Sequence, residues 1–130
     1  MDMQRSDGRN VVVVIDDDPA VRNSLKFSLE IEGFVVHLYE SGADLLKAQA
    51  LPDCGCLVVD QQMPGISGLD LITKLRDQKV SAPAILITSH PNATLARRAA
   101  DANVPIVEKP LLNNALIELI RKACTPSTRI

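Results

Sequence analysis

Short runs of apolar, mostly β-branched residues recur along the chain, and segments with helical periodicity separate them. The continuous run Val11–Ile15 is typical of a strand buried on both faces, as in a parallel sheet. Comparable but shorter runs predict four further strands. The predicted strands are 11–15, 35–38, 57–59, 84–87 and 106–108.

A segment with helical character follows each predicted strand. Asp18 and Pro19 form the start signal of the first helix, because an aspartate side chain can cap free N–H groups and proline suits the first helical position. Gly33 ends this helix. The next three helices are predicted at 43–50, 67–78 and 95–102, and the last is an amphipathic helix defined by Leu116, Leu119, Ile120 and Ala123.

Strict alternation of strands and helices predicts a doubly wound α/β fold, with right-handed crossovers and helices on both faces of a parallel sheet. The expected strand order is the flavodoxin-like 2-1-3-4-5, in which the ligand crevice lies at the carboxyl ends of the strands where the chain reverses direction. The 130 residues suit one domain. We place that domain at 11–124, between a loose tail at 1–10 and a short tail at 125–130.

Composition narrows the class of protein. With 46% hydrophobic residues, 23% charged residues and a net charge of -2, the chain has the profile of a soluble globular protein, and bulk charge does not suggest nucleic acid as a partner. The longest apolar run is far shorter than the roughly 20 residues that span a bilayer, and no secretory leader precedes it. The odd number of cysteines, three, favours reduced thiols, with Cys54 and Cys56 as small buried residues. We therefore expect a cytoplasmic protein with no membrane partner.

Five polar residues come just after predicted strands: Asp16, Asp17, Asp60, Thr88 and Lys109. The fold brings them to one edge of the sheet. Two carboxylates about 4 Å apart repel by about 4 kcal/mol at an effective dielectric constant near 20, so three of them require a cation or a proton. Oxygen ligands without histidine or cysteine favour Mg²⁺ or Ca²⁺, and a site with few carboxylates and room for water and phosphate favours Mg²⁺.

A carboxylate beside Mg²⁺, an ammonium and a hydroxyl can act as a nucleophile and form an acyl phosphate. The residue types alone leave the choice among the three aspartates open. Asp60 is the best placed, because it stands apart from the paired acids and a turn containing Gly65 and Gly68 follows it. We expect those glycines to let the backbone approach the site.

Four motifs together resemble the receiver domain of bacterial two-component response regulators. They are V-V-V-V-I-D-D-D-P, D-Q-Q-M-P-G-I-S-G, I-L-I-T-S and V-E-K-P, and the resemblance covers about residues 11–123. Local similarity is greatest to the receivers of the nitrogen-fixation and LuxR-type transcription regulators, which share the pattern L-x-F-x-L-E-x-x-G-F in the first helix.

The resemblance implies a metal site and a phosphoacceptor. By it, Asp60 accepts the phosphoryl group and is also a ligand of Mg²⁺. Asp17 is a direct ligand, Asp16 a ligand through water, and the backbone carbonyl of Gln62 a further ligand.

The resemblance also implies how the phosphoryl group is bound. Thr88 would bond a phosphoryl oxygen and switch rotamer, Lys109 would pair with the phosphate, and the Lys109–Pro110 bond would be cis. Gln62 and His90 occupy positions that tune how long the phosphate lasts. His90 would hold or screen the attacking water, with an ordinary loop residue as the alternative.

One position departs from the family pattern. Three residues before the family's lysine, most receivers have tyrosine or phenylalanine, which turns inward when the threonine engages phosphate. This chain has Ile106 there, preceded by Pro105. The departure leaves phosphorylation itself intact and puts the usual threonine-to-aromatic coupling in question.

The resulting hypothesis is a single-domain response regulator. It would take a phosphoryl group from a sensor histidine kinase or phosphotransfer protein, relay the signal through protein contacts to an unknown downstream protein, and catalyse only its own phosphorylation and dephosphorylation. Whether it forms a homodimer stays open. The alternative is the receiver half of a DNA-binding transcription regulator, although 125–130 is too short for a helix-turn-helix, so the chain as given is not expected to bind nucleic acid. A haloacid-dehalogenase-type phosphatase is disfavoured, since Gln62 stands where that class needs an aspartate.

Overall fold

The computed structural model describes residues 10–47, 55–111 and 114–124. Its strands are β1 (Val11–Ile15), β2 (Val35–Tyr39), β3 (Cys56–Asp60), β4 (Ala84–Thr88) and β5 (Ile106–Glu108). Its helices are α1 (Pro19–Ile31), α2 (Gly42–Lys47), α3 (Gly68–Asp77), α4 (Ala93–Asp101) and α5 (Ala115–Cys124). The strands pair in parallel in the order β2-β1-β3-β4-β5, which confirms the predicted fold class and strand order.

The sheet separates two apolar cores because successive side chains of a strand point to opposite faces. In β1, Val13 and Ile15 pack with apolar residues of α2, α3 and α4. Val12 and Val14 pack on the other face, with residues of α1 and α5. All five residues of β1 are buried, as are those of β3 and β4, so the three central strands are the fixed frame of the site.

Four predicted strand limits were wrong by one residue: β2 also includes Tyr39, β3 also begins at Cys56, and two polar residues end strands that were predicted to stop before them. The sequence pattern stopped at Val59 and at Ile87, whereas β3 includes Asp60 and β4 includes Thr88. Both polar residues continue the ladder, since Asp60 is paired with Ile87 and Thr88 with Glu108. The two side chains that end these strands are therefore held in the sheet and are not part of loops.

Helix boundaries differ from prediction where capping decides them. The fourth helix begins at Ala93 and not at residue 95, because the side chain of Asn92 accepts a hydrogen bond from the Leu95 N–H. Ser67, predicted as helical, is instead the cap of α3. Asp18 caps α1 as expected, with its carboxylate accepting from the Ala20 N–H at 2.9 Å.

Several predictions fall on residues outside the described part of the chain. These are Cys54, the end of the second helix after residue 47, and both tails apart from residue 10. The proposed domain limits therefore stay a prediction. Cys56 is buried at the start of β3, as expected. Within the described residues, no helix has the length and apolar character required to cross a bilayer.

Candidate functional site

Three strand ends bring buried polar side chains to the carboxyl edge of the sheet. Asp16 follows β1, Asp60 ends β3 and Thr88 ends β4, and at most 2% of each residue is exposed. One carboxylate oxygen from each of Asp16, Asp17 and Asp60 lies within 4.8 Å of the others. Asp17 is the exposed member of this acidic cluster. The predicted convergence of the three aspartates is therefore present.

Hydrogen bonds hold both the backbone and the carboxylate of Asp16. Its own N–H donates to the carbonyl of Tyr39 at 3.2 Å, which extends the β1–β2 ladder by one bond. Its Oδ1 accepts from the Asp18 N–H at 2.9 Å, and the Arg22 guanidinium donates to its carbonyl at 2.7 Å. Among the described residues, its buried Oδ2 has no hydrogen-bond donor. An orphaned carboxylate oxygen of this kind is costly unless a cation lies beside it.

Lys109 is the cation that the structure places there. Its Nζ lies 3.2 Å from Oδ2 of Asp16 and 3.3 Å from Oδ1 of Asp60. The contact with Asp16 is thus an ion pair without hydrogen-bond geometry. The backbone N–H of Lys109 donates to the Thr88 carbonyl at 2.8 Å, which anchors the residue just beyond β5. One ammonium group therefore bridges two buried carboxylates.

Burial sets the charge balance of the site. Burial of the Asp60 carboxyl, reinforced by the negative charge of Asp16, raises its pKa to about 6, although Lys109 acts in the opposite direction. Burial by itself would lower the pKa of Lys109, but attraction to Asp16 and Asp60 outweighs it and raises that pKa. Lys109 is therefore cationic throughout the physiological range, whereas Asp60 is close to its titration midpoint in mildly acidic solution.

The Thr88 hydroxyl both donates and accepts a hydrogen bond. Its Oγ1 donates to Oε1 of Gln62 at 2.9 Å and accepts from the backbone N–H of His90 at 3.1 Å. The backbone N–H of Gln62 in turn donates to Oδ1 of Asp60 at 3.3 Å. The contact between Thr88 and the Gln62 side chain was not predicted from the sequence. The side chain of His90 is exposed, and its proposed role stays a prediction.

The turn after β3 approaches the site closely, as predicted. Gly65 has a positive φ of 83°, which favours glycine. A Cβ atom at Gly68 would lie 2.5 Å from the backbone oxygen of Asp60, so only glycine fits there without displacement. The role of Gln61 was not predicted: its side-chain oxygen accepts from the Leu69 N–H at 2.8 Å and thereby holds the start of α3.

A family model described as the response regulator receiver domain matches residues 12–121. The chain belongs to the response regulator receiver family. The transcriptional regulatory protein FixJ of Azorhizobium caulinodans is 41% identical to it over 111 residues, which are 85% of this chain and 53% of that relative. The receiver spans about half the length of the FixJ relatives that it matches. The expected similarity to the receivers of transcription regulators is confirmed.

Solved structures agree with this assignment. The crystal structure of FixJ-N is 33% identical, with a TM-score of 0.79 and coverage of 96% of this receiver and 99% of that chain. The response regulator TrrA of Thermotoga maritima, solved in complex with Mg²⁺ and BeF, is 30% identical, with a TM-score of 0.77 and coverage of 88% and 98%.

The acidic cluster of this receiver suits a hard divalent cation. Its donors are carboxylate oxygens, without histidine or cysteine, and the Oδ2 of Asp16 is buried with no hydrogen-bond donor among the described residues. The place of the Gln62 carbonyl in the ligand set stays a prediction.

The position that departs from the family pattern lies on the side of the sheet covered by α2, α3 and α4. Ile106 is half-buried, packs against that core and pairs with Leu86 in the β4–β5 ladder. The Lys109–Pro110 bond is cis, as the resemblance implied. The receiver therefore keeps the expected backbone around Lys109 while it carries an aliphatic side chain at the usual aromatic position.

The raised pKa of Asp60 predicts a pH-dependent stability difference. In the presence of a chelator, we expect Asp60→Asn to be more stable than the wild type by about 1–3 kcal/mol at pH 7.5. A carboxyl group whose pKa rises from 3.8 to about 6 on folding stabilises the fold fully below pH 3.8, and this contribution is lost as the pH rises through 6. Urea unfolding at pH 4 and pH 7.5 measures the difference.

The control for this prediction is Asp101→Asn, at an exposed position at the end of α4. It should change the free energy of unfolding by no more than about 0.5 kcal/mol. A stability gain of Asp60→Asn that did not grow between the two pH values would contradict the buried-carboxyl explanation.

Proposed function

We propose that this receiver accepts a phosphoryl group on Asp60 from a sensor histidine kinase or phosphotransfer protein, in a Mg²⁺-dependent reaction, and relays the signal through protein–protein contacts. The observation that carries the proposal is the buried Asp60 carboxylate, which lies in one cluster with two further aspartates and within 3.3 Å of Lys109. Family membership supports it, since receivers act as phosphorylation switches.

The residues of the cluster fit a magnesium site. Asp17 and Asp60 would bind the ion directly, Asp16 would bind it through water, and the carbonyl of Gln62 would complete the protein ligands. The bound ion would supply neutralisation of the charge on the phosphoryl oxygens. TrrA, solved with Mg²⁺ and BeF, supports this assignment.

The residues of the chain account for the transfer itself. An oxygen of the Asp60 carboxylate attacks the phosphorus atom, and the bond from phosphorus to the donor's leaving group breaks with its electron pair. The pKa of about 6 leaves most of Asp60 ionised at neutral pH, so the nucleophile is available. Lys109 would balance the added charge, and the Thr88 hydroxyl would donate to a phosphoryl oxygen.

Beyond the site, we propose a signalling role in the cytoplasm without catalysis on other substrates. The structural change caused by phosphorylation of Asp60 would reach a partner through the surface near β4 and β5. Ile106 replaces the usual aromatic residue on this surface, and His90 follows Thr88 there. A second candidate function is the receiver part of a longer transcription regulator. It is favoured by the FixJ relatives, of which this chain spans about half. The genomic sequence after Ile130 would distinguish the two.

The proposed function is tested by phosphorylation with a small donor. We expect incubation with acetyl phosphate and Mg²⁺ to add the mass of one phosphoryl group to the intact chain, because Asp60, the two other aspartates of the cluster and Lys109 already lie together. The adduct should be absent in Asp60→Asn and after chelation of the metal. The control is Asp44→Asn, at an exposed position in α2, which should be phosphorylated like the wild type. An unchanged wild-type mass would refute the proposal.

A further inference from the structure

The hydroxyl group of Thr88 is buried, and its hydrogen bonds are already made in the resting structure. The residue is 0% exposed, and it contacts two neighbours through Oγ1. The His90 N–H donates to that oxygen at 3.1 Å, while the hydroxyl donates its proton to Oε1 of Gln62 at 2.9 Å. Both distances fall in the normal range for hydrogen bonds.

A threonine hydroxyl has a single proton to donate. While Thr88 donates to Gln62, the same proton is unavailable to a phosphoryl oxygen on Asp60. The two acceptors are therefore alternatives, and any contact between Thr88 and the phosphoryl group requires the bond to Gln62 to break. The free energy of that bond opposes the switch by the amount it stabilises the resting state.

Gln62 is placed to take part in this exchange because it contacts both Asp60 and Thr88. Its backbone N–H donates to Oδ1 of Asp60, and its side chain accepts from Thr88. The adjacent glutamine, Gln61, uses its side-chain oxygen differently, on the Leu69 N–H at the start of α3. Of the two neighbouring glutamines, Gln61 therefore binds the start of a helix, and Gln62 contacts Thr88.

We propose that Gln62 is a positioning residue whose carboxamide holds the Thr88 hydroxyl in the resting state and competes with the phosphoryl oxygen for its proton. The inference rests on the proposed function, since it names a regulator of the same site. Removal of the acceptor leaves a buried hydroxyl without its partner, which destabilises the resting state relative to the phosphorylated one.

Beryllofluoride with Mg²⁺ serves as the probe of the phosphorylated state. We expect Gln62→Leu, which keeps the bulk of the side chain without the acceptor, to bind beryllofluoride about three- to tenfold more tightly than the wild type. The matched control is Gln78→Leu, at the exposed end of α3, which should bind like the wild type. In a Thr88→Val background, Gln62→Leu should have no further effect, because the contested proton is gone.

A second measurement follows the Thr88 side chain in the free protein, without metal or beryllofluoride. Side-chain NMR couplings should report one χ1 rotamer for Thr88 in the wild type and a mixture in Gln62→Leu. Gln62→Glu keeps an acceptor oxygen at the same reach and should restore the single rotamer.

The outcomes separate this inference from the proposed function. If the wild type binds beryllofluoride and Gln62→Leu binds it no more tightly, the competition is refuted while the receiver function stands. An equal effect of Gln62→Leu with and without the Thr88 hydroxyl would also refute it. A wild type that binds no beryllofluoride would overturn the proposed function and the competition together, and the rotamer measurement would still decide whether Gln62 holds Thr88.

Discussion

Replacement of Lys109 by methionine is expected to destabilise the metal-free chain by about 3–5 kcal/mol at neutral pH. The Lys109 ammonium lies 3.2 Å from Asp16 and 3.3 Å from Asp60, and both carboxylates are buried. Methionine retains most of the apolar stem but leaves two buried negative charges without their cation. Denaturant unfolding in the presence of a chelator measures the loss.

The cause of this loss can be checked by its dependence on pH and metal. Lys109 opposes the rise in the pKa of Asp60, so its removal should raise that pKa above the present value of about 6. The deficit should therefore shrink as the pH falls and the carboxyl becomes protonated, and it should also shrink when Mg²⁺ is added. Lys74→Met, at an exposed position in α3, should change stability by no more than about 0.5 kcal/mol. A deficit of equal size at pH 4 and with Mg²⁺ would show that lost packing, and not charge, is responsible.

The fold could be predicted because its signals are local and repeated. Continuous apolar runs such as Val11–Ile15 report burial on both faces, and the cap Asp18 accepts a hydrogen bond from an N–H group only two residues further along the chain. The strand errors that concern the site lie where a polar residue ends a strand. Asp60 and Thr88 were placed just after their strands because a hydrophobic pattern treats a polar residue as an end, whereas the ladder hydrogen bonds depend only on the backbone.

The candidate site was predictable only to the level of which residues meet. Parallel strands bring the residues after them to one edge, so the cluster of Asp16, Asp17 and Asp60 follows from the fold. Which partner each side chain selects depends on rotamers and on contacts distant in sequence. Thr88 bonds a residue 26 positions away, and nothing in the pair Gln61-Gln62 indicates that the first side chain caps a helix while the second contacts Thr88.

The second large effect is expected at Gly68, the first residue of α3. The substitution Gly68→Ala should cost about 2–3 kcal/mol of stability and slow phosphorylation by acetyl phosphate at least tenfold. A Cβ atom there would lie 2.5 Å from the backbone oxygen of Asp60 and 2.9 Å from its carbonyl carbon. Backbone atoms held in a central strand cannot yield as a side chain does. The displaced peptide carries the phosphoacceptor itself, so stability and reactivity should fall together.

Gly42→Ala is the matched control for this effect. Gly42 is likewise a buried first residue of a helix, α2, but its added Cβ would meet a side-chain methyl group of Ile66, with Leu71 next nearest at 3.4 Å. A methyl group on a half-buried side chain yields more readily than strand backbone, so Gly42→Ala should lose less stability than Gly68→Ala, about 1–2 kcal/mol, and be phosphorylated at the wild-type rate. Equal losses in the two variants would mean that crowding at a helix start, and not contact with the Asp60 backbone, determines the cost. The expected effect depends on the rigidity of the three buried central strands, since a rigid β3 transmits the clash at Gly68 to the Asp60 carboxylate. A stable Gly68→Ala chain that is phosphorylated normally would show that β3 can shift without moving the carboxylate.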